Sequence, residues 1–447
     1  MIHLGNHFYR PASPNRLSTE TILDGKRIRP RRIAGARKGI FLVAAIPFSL
    51  MLSATSAGYD GSLLEEGMQI AGLLVLLLVA ALTTGRRLME APLYAESKTS
   101  ALLVILLFCA ASVSSVFAED KLLSFSYVGG IAVTFLICGA VWNLPAEQVL
   151  TSLKLYAVAT ALWALGVWLV TPDVGRRFAA VVHPNYWGLL CLSVFCLAFL
   201  IRNVLFRTAL QSISVAIILL AESRSALLSI LVACVVLAYC RFQSARIGKD
   251  SKVALLAAMA FLGLVTVAVA HQEIYDLFSK VFKVNDPFRG ASSGFTGRTA
   301  VWRAGLDVFG AYPWFGVGAR MESNFISVAG FHHAHNGYIN MLVQFGAIGG
   351  GIFLVFSALA FRRLLRLALR RAPGGSVGIA FVCAYAVGAI FDPKLINIGN
   401  PVSIIAIMFL LRPVGLPPVV ARNPVVPRRP VGLRTAVRER RYVLYGN

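Results

Sequence analysis

Charge is scarce in this chain, and acidic charge scarcest. Only 14% of its 447 residues are Asp, Glu, Lys or Arg, against roughly 25% in a soluble globular protein. Twenty are acidic and 43 basic. No polar stretch is long enough to fold a large soluble domain. The seven cysteines (Cys109, Cys138, Cys191, Cys196, Cys234, Cys240 and Cys383) show neither a CxxC pair nor metal-ligand spacing. They fall within or at the ends of apolar runs, so they read as packing residues and not as a disulfide framework. A P-loop, a dinucleotide fingerprint and a nucleophilic triad are missing, and no carboxylate pair suited to glycoside hydrolysis stands out. The segment before Gly39 is too long and too charged for a signal-peptide n-region. An uncleaved first span is expected, although Ser53-Ala54-Thr55-Ser56-Ala57 resembles a small-residue cleavage site.

Apolar sequence, in contrast, is abundant: 57% of the residues are hydrophobic. Many runs approach the roughly 20 residues that cross a bilayer as a helix. The pattern predicts an all-α, polytopic bundle of about twelve transmembrane helices. They fall near 40–57, 68–84, 99–118, 122–142, 149–171, 184–201, 208–221, 225–240, 252–270, 336–361, 375–391 and 401–411. The seventh and last are short and call for tilt or extension. Five regions result: a basic cytoplasmic N-terminal tail (1–39), helices one to nine (40–270), a periplasmic loop (271–335), helices ten to twelve (336–411) and a basic cytoplasmic C-terminal tail (412–447). The apolar spacing from Ile274 to Phe282 suggests an amphipathic helix on the membrane surface. A second loop helix is expected over 299–309, ended by Gly310 and Pro313.

Orientation follows from the basic residues. With both tails in the cytoplasm, about 32 of the 43 Lys and Arg lie inside, as the positive-inside rule demands. The net charge of +23 is then a topogenic and headgroup signal, with nucleic-acid binding a remote alternative. The arginines left outside run against this bias and need a reason: Arg176, Arg177, Arg224, Arg289, Arg298, Arg303 and Arg320.

Several of them lie in stretches that could carry chemistry. Glu222-Ser223-Arg224-Ser225 begins a span, where an arginine can bind an anion beside free backbone N–H groups, or snorkel to the headgroups. Arg298 and Arg303 are five apart and only loosely share a helix face; a loop arginine touching lipid phosphate is the plainer reading. His332-His333-Ala334-His335-Asn336 suggests zinc at first sight, but lacks helical ligand spacing and a second cluster. Asn336 as an N-cap would put His335 at a helix N-terminus, whose dipole keeps the imidazole neutral and able to accept a proton. Arg176-Arg177 through His183-Pro184-Asn185 is a second anion or sugar contact, or simply a Pro-Asn helix start. In Pro313-Trp314-Phe315-Gly316-Val317-Gly318 the glycines permit a tight turn, and the aromatics can stack on a sugar or sit at the membrane interface.

Together these stretches resemble the O-antigen ligase and polysaccharide polymerase superfamily of bacterial membrane glycosyltransferases. The resemblance rests on Ser223-Arg224, Gly297-Arg298 with Val301-Trp302-Arg303, Pro313 to Gly318, His335-Asn336-Gly337-Tyr338 and Gly346-Ala347-Ile348-Gly349. In the first half only Arg177 and His183-Pro184-Asn185 match, and Phe178 stands where the family has a glycine. The resemblance implies a periplasmic cleft, an inner-membrane location, no metal and no cofactor. It implies a glycan donor carried on undecaprenyl pyrophosphate, and a glycan or lipid-linked acceptor. Arg224 and Arg298 would bind the pyrophosphate, and His335 would activate or position the acceptor. Arg177, Asn185, Arg303, Arg320, Asn336 and Tyr338 are the expected further substrate contacts. Exopolysaccharide polymerisation is the preferred activity. A ligase acting on lipid A core is the close rival, and a protein O-oligosaccharyltransferase a weaker one. A polysaccharide or lipid transporter, and a non-catalytic scaffold among polysaccharide export proteins, are the rivals of a different class.

Overall fold

The computed structural model describes residues 98–141, 146–171, 178, 183–245, 298–326, 333–372, 374–392, 395–398 and 400–411, with a few single positions before 79 and between 248 and 279. Among these residues there are eleven helices and no strand. They are α1 (Lys98–Val116), α2 (Lys121–Val141), α3 (Ala146–Val170), α4 (Pro184–Ala198), α5 (Val204–Leu220), α6 (Arg224–Ser244), α7 (Arg298–Ala311), α8 (Glu322–Phe325), α9 (Gly337–Leu369), α10 (Gly375–Gly388) and α11 (Pro401–Leu411).

Five of them, α1, α2, α3, α6 and α9, are long and apolar enough to cross a membrane. Four shorter apolar helices, α4, α5, α10 and α11, accompany them. The expected spans at 40–57, 68–84 and 252–270 and the surface helix at 274–282 lie for the most part outside the described residues.

Burial sorts the helices into an inner and an outer set. Every residue of α11 is buried, as is nearly all of α4. A helix apolar all round has no polar face to turn to water, so the interior is its place. α4 packs against α3, α5, α6 and α10, and α10 lies along α6. Aromatic contacts lock the centre: Trp163 of α3 meets Trp187 of α4 at 4.6 Å, and Phe178 meets Trp187 at 5.3 Å. The outer helices instead expose large apolar side chains, including Leu102 and Leu106 on α1, Leu162 and Leu169 on α3, and Leu231 and Val235 on α6. So much exposed apolar surface fits a lipid environment.

Helix ends follow local chemistry. The Asp120 carboxylate accepts from Leu123 N–H at 2.9 Å and starts α2. Asn203 does the same for α5, accepting from Phe206 N–H at 3.0 Å. Helix α9 departs from the expected single span. At Gly346 the backbone takes φ 64° and ψ −169°, so two helical halves meet at a break.

That break is repaired by the Pro313–Gly318 turn. The N–H groups of Val317 and Gly318 donate to the carbonyls of Val343 (2.9 Å) and Gln344 (3.1 Å). In return, Ala347 and Ile348 N–H donate to the carbonyls of Pro313 (2.7 Å) and Trp314 (3.2 Å). Ser114 Oγ on α1 adds a bond to the Gln344 carbonyl at 2.6 Å. Backbone groups orphaned inside a bilayer are costly, and here another stretch of backbone satisfies them. A Cβ on Gly346 would overlap Trp314, and one on Gly316 would overlap Val343 and Gln344. The glycines of this motif therefore allow backbone to approach backbone. Of its aromatics, Phe315 stacks on Phe117, while Trp314 is exposed.

Candidate functional site

One end of the bundle collects the starts of α4, α6 and α9 and the end of α10. Gly188 near the start of α4 lies against Ser223, so close that a Cβ would overlap its hydroxyl. Gly388 at the end of α10 faces Ser229 of α6, where a Cβ would stand 3.1 Å from the hydroxyl. Gly337 N–H donates to the Ala389 carbonyl at 2.8 Å, tying α9 to α10. Helix α7 lies over this end, with Gly305 against Ala334 and Ile339.

His335 sits in this assembly, in the short turn before α9. Its backbone is left-handed (φ 48°), a region seldom occupied by residues other than glycine and asparagine. The turn is pinned on both sides. Asn336 Oδ1 accepts from the N–H groups of Tyr338 (2.9 Å) and Ile339 (3.1 Å), as an N-cap should. Asn340 Oδ1 accepts from Ala334 N–H at 2.9 Å, and Tyr338 OH donates to the Ala386 carbonyl at 2.9 Å.

The imidazole of His335 has cationic and imidazole neighbours. The His333 ring stands edge-on to it, with centroids 4.2 Å apart. Burial, and then the charges of His333, Arg298 and His183, push the His335 pKa down to about 3. His335 is therefore neutral, and its lone pair can accept a proton. His183 caps α4: its Nδ1 accepts from Asn185 N–H at 3.2 Å, which leaves the proton on Nε2. Arg298 opens α7, with its guanidinium 6.0 Å from the Phe391 ring. Trp302 meets the same ring at 6.4 Å, so Phe391 braces both.

The other expected residues divide. Arg224 is the first residue of α6, half-buried at the same end of the bundle. Asn185 lies in the first turn of α4 beside His183. Arg303 is exposed on α7, whereas Val301 and Gly305 form the buried face. Arg320, also left-handed (φ 62°), lies over the Tyr127 ring at 5.7 Å. Tyr127 OH bonds Asn397 Oδ1 at 3.2 Å, and Leu395, two residues before, packs on Gly337. The 395–398 segment thus joins the Arg320 cluster to the His335 turn. Arg177 and His332 lie outside the described residues.

Three contributors were not singled out from the sequence. Phe391 braces Arg298. Asp392 follows Phe391, just beyond α10. Glu322, whose carboxyl burial raises above its ordinary range, lies near Arg320. An acid directly after an apolar helix was the available signal for Asp392, since charge at a span end needs a reason. Among the described residues no three His, Cys, Asp or Glu side chains gather as a metal site.

Residues 209–354 match the family described as O-antigen ligase. Over this third of the chain the sequence is similar to O-antigen ligases. No curated protein matches the chain. The matched segment runs from α5 into α9 and includes Arg224, Arg298, Arg320 and His335. The Gly346 break and the turn that repairs it fall within the same segment. His183 and Asp392, on either side of it, come from outside the matched residues. The match supports a multi-pass membrane glycosyltransferase of ligase or polymerase type, acting on lipid-linked glycans.

Proposed function

We propose that this protein transfers a glycan from undecaprenyl pyrophosphate to a glycan hydroxyl at the periplasmic face of the inner membrane, and that it does so repeatedly, as an exopolysaccharide polymerase. The observation that carries the reading is that half-buried His335, in the turn before α9, gathers with the starts of α4 and α6, where His183 and Arg224 stand, under helix α7, which Arg298 opens. The positive-inside bias supports cytoplasmic termini in this reading.

In the transfer, the acceptor oxygen bonds to the anomeric carbon of the donor. The bond from that carbon to the pyrophosphate oxygen breaks, and the electron pair leaves with the diphosphate. The acceptor hydroxyl proton passes to His335, which releases it to solvent after turnover. Arg298 and Arg224 hold the departing diphosphate, whose negative charge grows as the bond lengthens. Guanidinium groups suit this task because their planar forks match phosphate oxygens. They supply the charge that a divalent ion would otherwise bring, so the reaction runs without metal. Arg177, Asn185, Arg303, Arg320, Asn336 and Tyr338 contact or position the substrates around this centre.

Transfer of one glycan onto lipid A core is the second reading, favoured by the description of the matched family. One experiment separates these readings from each other and from a transporter. Purified protein is given an undecaprenyl pyrophosphate-linked glycan and candidate acceptors, with and without EDTA. Lengthening chains identify a polymerase, and a single addition to lipid A core identifies a ligase. Turnover that survives in Arg298→Ala and His335→Ala would sink the catalytic assignment, and turnover abolished by EDTA would sink the metal-free step.

A further inference from the structure

The opposite end of the bundle carries a second cationic feature, unconnected with the transfer chemistry. Arg241 lies in the last turn of α6, about 25 Å along the helix from Arg224. Arg207 lies in the first turns of α5. Their guanidinium carbons both stand 5.6 Å from the centroid of one ring, that of Phe199. Phe195 holds this ring edge-on, with centroids 5.8 Å apart.

Two guanidinium groups on one aromatic ring attract the ring but repel each other. Among the described residues neither meets a carboxylate, and Arg207 Nε is buried with no hydrogen-bond partner. Exposed Arg202 lies in the same linker, and the α5 N-terminus adds the positive end of a helix dipole. Beyond α6 the sequence continues with Arg246 and Lys249 against a single acid, Asp250. The arrangement concentrates positive charge that suits an anion.

The surroundings indicate which anion. Val204, Leu205 and Phe206 at the start of α5, and Val235 and Tyr239 on α6, are all exposed apolar or aromatic side chains. The cations therefore emerge at the border of a lipid-facing surface. A ligand with a phosphate head and apolar tails meets both features, and a free phosphate meets only one. We propose that Arg207 and Arg241 bind the phosphate of an anionic phospholipid in the leaflet opposite the His335 site, with its acyl chains against the exposed apolar side chains of α5 and α6.

The test uses the full-length protein, delipidated in neutral detergent and followed by native mass spectrometry and thermal unfolding. Phosphatidylglycerol should be retained in preference to phosphatidylcholine. The double substitution Arg207→Gln with Arg241→Gln should lower phosphatidylglycerol retention about tenfold or more, leaving phosphatidylcholine unchanged. The Arg207→Lys/Arg241→Lys protein should keep part of the preference. Equal phosphatidylglycerol retention by the wild-type and Gln proteins overturns the site. Should the Gln protein not fold, the wild type decides by itself. A higher Tm with phosphatidylglycerol than with phosphatidylcholine supports the lipid, and an equal rise with inorganic phosphate alone overturns it.

Discussion

The imidazole of His333 stands edge-on to that of His335, with ring centroids 4.2 Å apart and planes 72° from parallel. A proton on His335 would also stand against the charges of His333, Arg298 and His183. Burial chiefly, and then these charges, depress the His335 pKa to about 3, from an ordinary 6.5.

The first prediction follows from that depression. Between pH 6.5 and 3 the unfolded chain binds a proton at residue 335 that the folded chain does not. Stability is therefore fully present above about pH 6.5 and falls as the pH drops toward 3. Thermal unfolding from pH 7.5 to 4 should show a steeper acid loss for wild type than for His335→Gln. Parallel curves would show that His335 titrates normally in the folded protein. The transfer rate should show no inflection near 6.5 arising from His335.

His335→Asn tests the proton-acceptor role with little disturbance of the fold. Asparagine tolerates the left-handed backbone at this position. Turnover should fall by about 10²–10⁴-fold, the usual range for a lost general base. Circular dichroism and the elution profile should match wild type. A variant within a few-fold of wild-type turnover would remove His335 from the chemistry.

Asn336 acts on stability through its two cap bonds to Tyr338 and Ile339. Asn336→Ala should cost about 1 kcal/mol, read as a lower Tm, whereas Asn336→Asp retains the acceptor and should stay close to wild type. Because the cap adjoins His335, Asn336→Ala should also slow transfer. If it changes Tm alone, the turn does not position the imidazole.

The α9 break gives a paired comparison. Gly346 is left-handed and a Cβ there would overlap Trp314, so Gly346→Ala should destabilise by about 2–4 kcal/mol or prevent folding. Gly351 lies in the same helix with nothing within 4 Å of an added Cβ. Gly351→Ala should be neutral or stabilising by about 0.5–1 kcal/mol. Tm values in one detergent decide it; equal tolerance at both positions would mean that the turn and the break do not interlock.

Local features were legible without coordinates. The starts of α10 and α11, at Gly375 and Pro401, coincide with the expected span starts. The loop helix expected over 299–309 appears as Arg298–Ala311. Asn336, the expected cap, caps α9. The Gly346 break was not legible, because its missing bonds are supplied from residues about thirty positions earlier. Nor was the role of Pro313–Gly318, whose glycines are explained only by the backbone they approach.

By itself the sequence determined the apolar helices seen among the described residues, the cationic bias and the identity of the cations. These depend on apolar run length and on neighbours a few residues apart, which any stretch of chain carries with it. Only the tertiary structure decided that His183, Arg298 and His335 come close enough to couple, and that Arg303 stands on the exposed side of α7. Electrostatic coupling depends on distance through space and on burial, and both are set when helices far apart in the chain pack together.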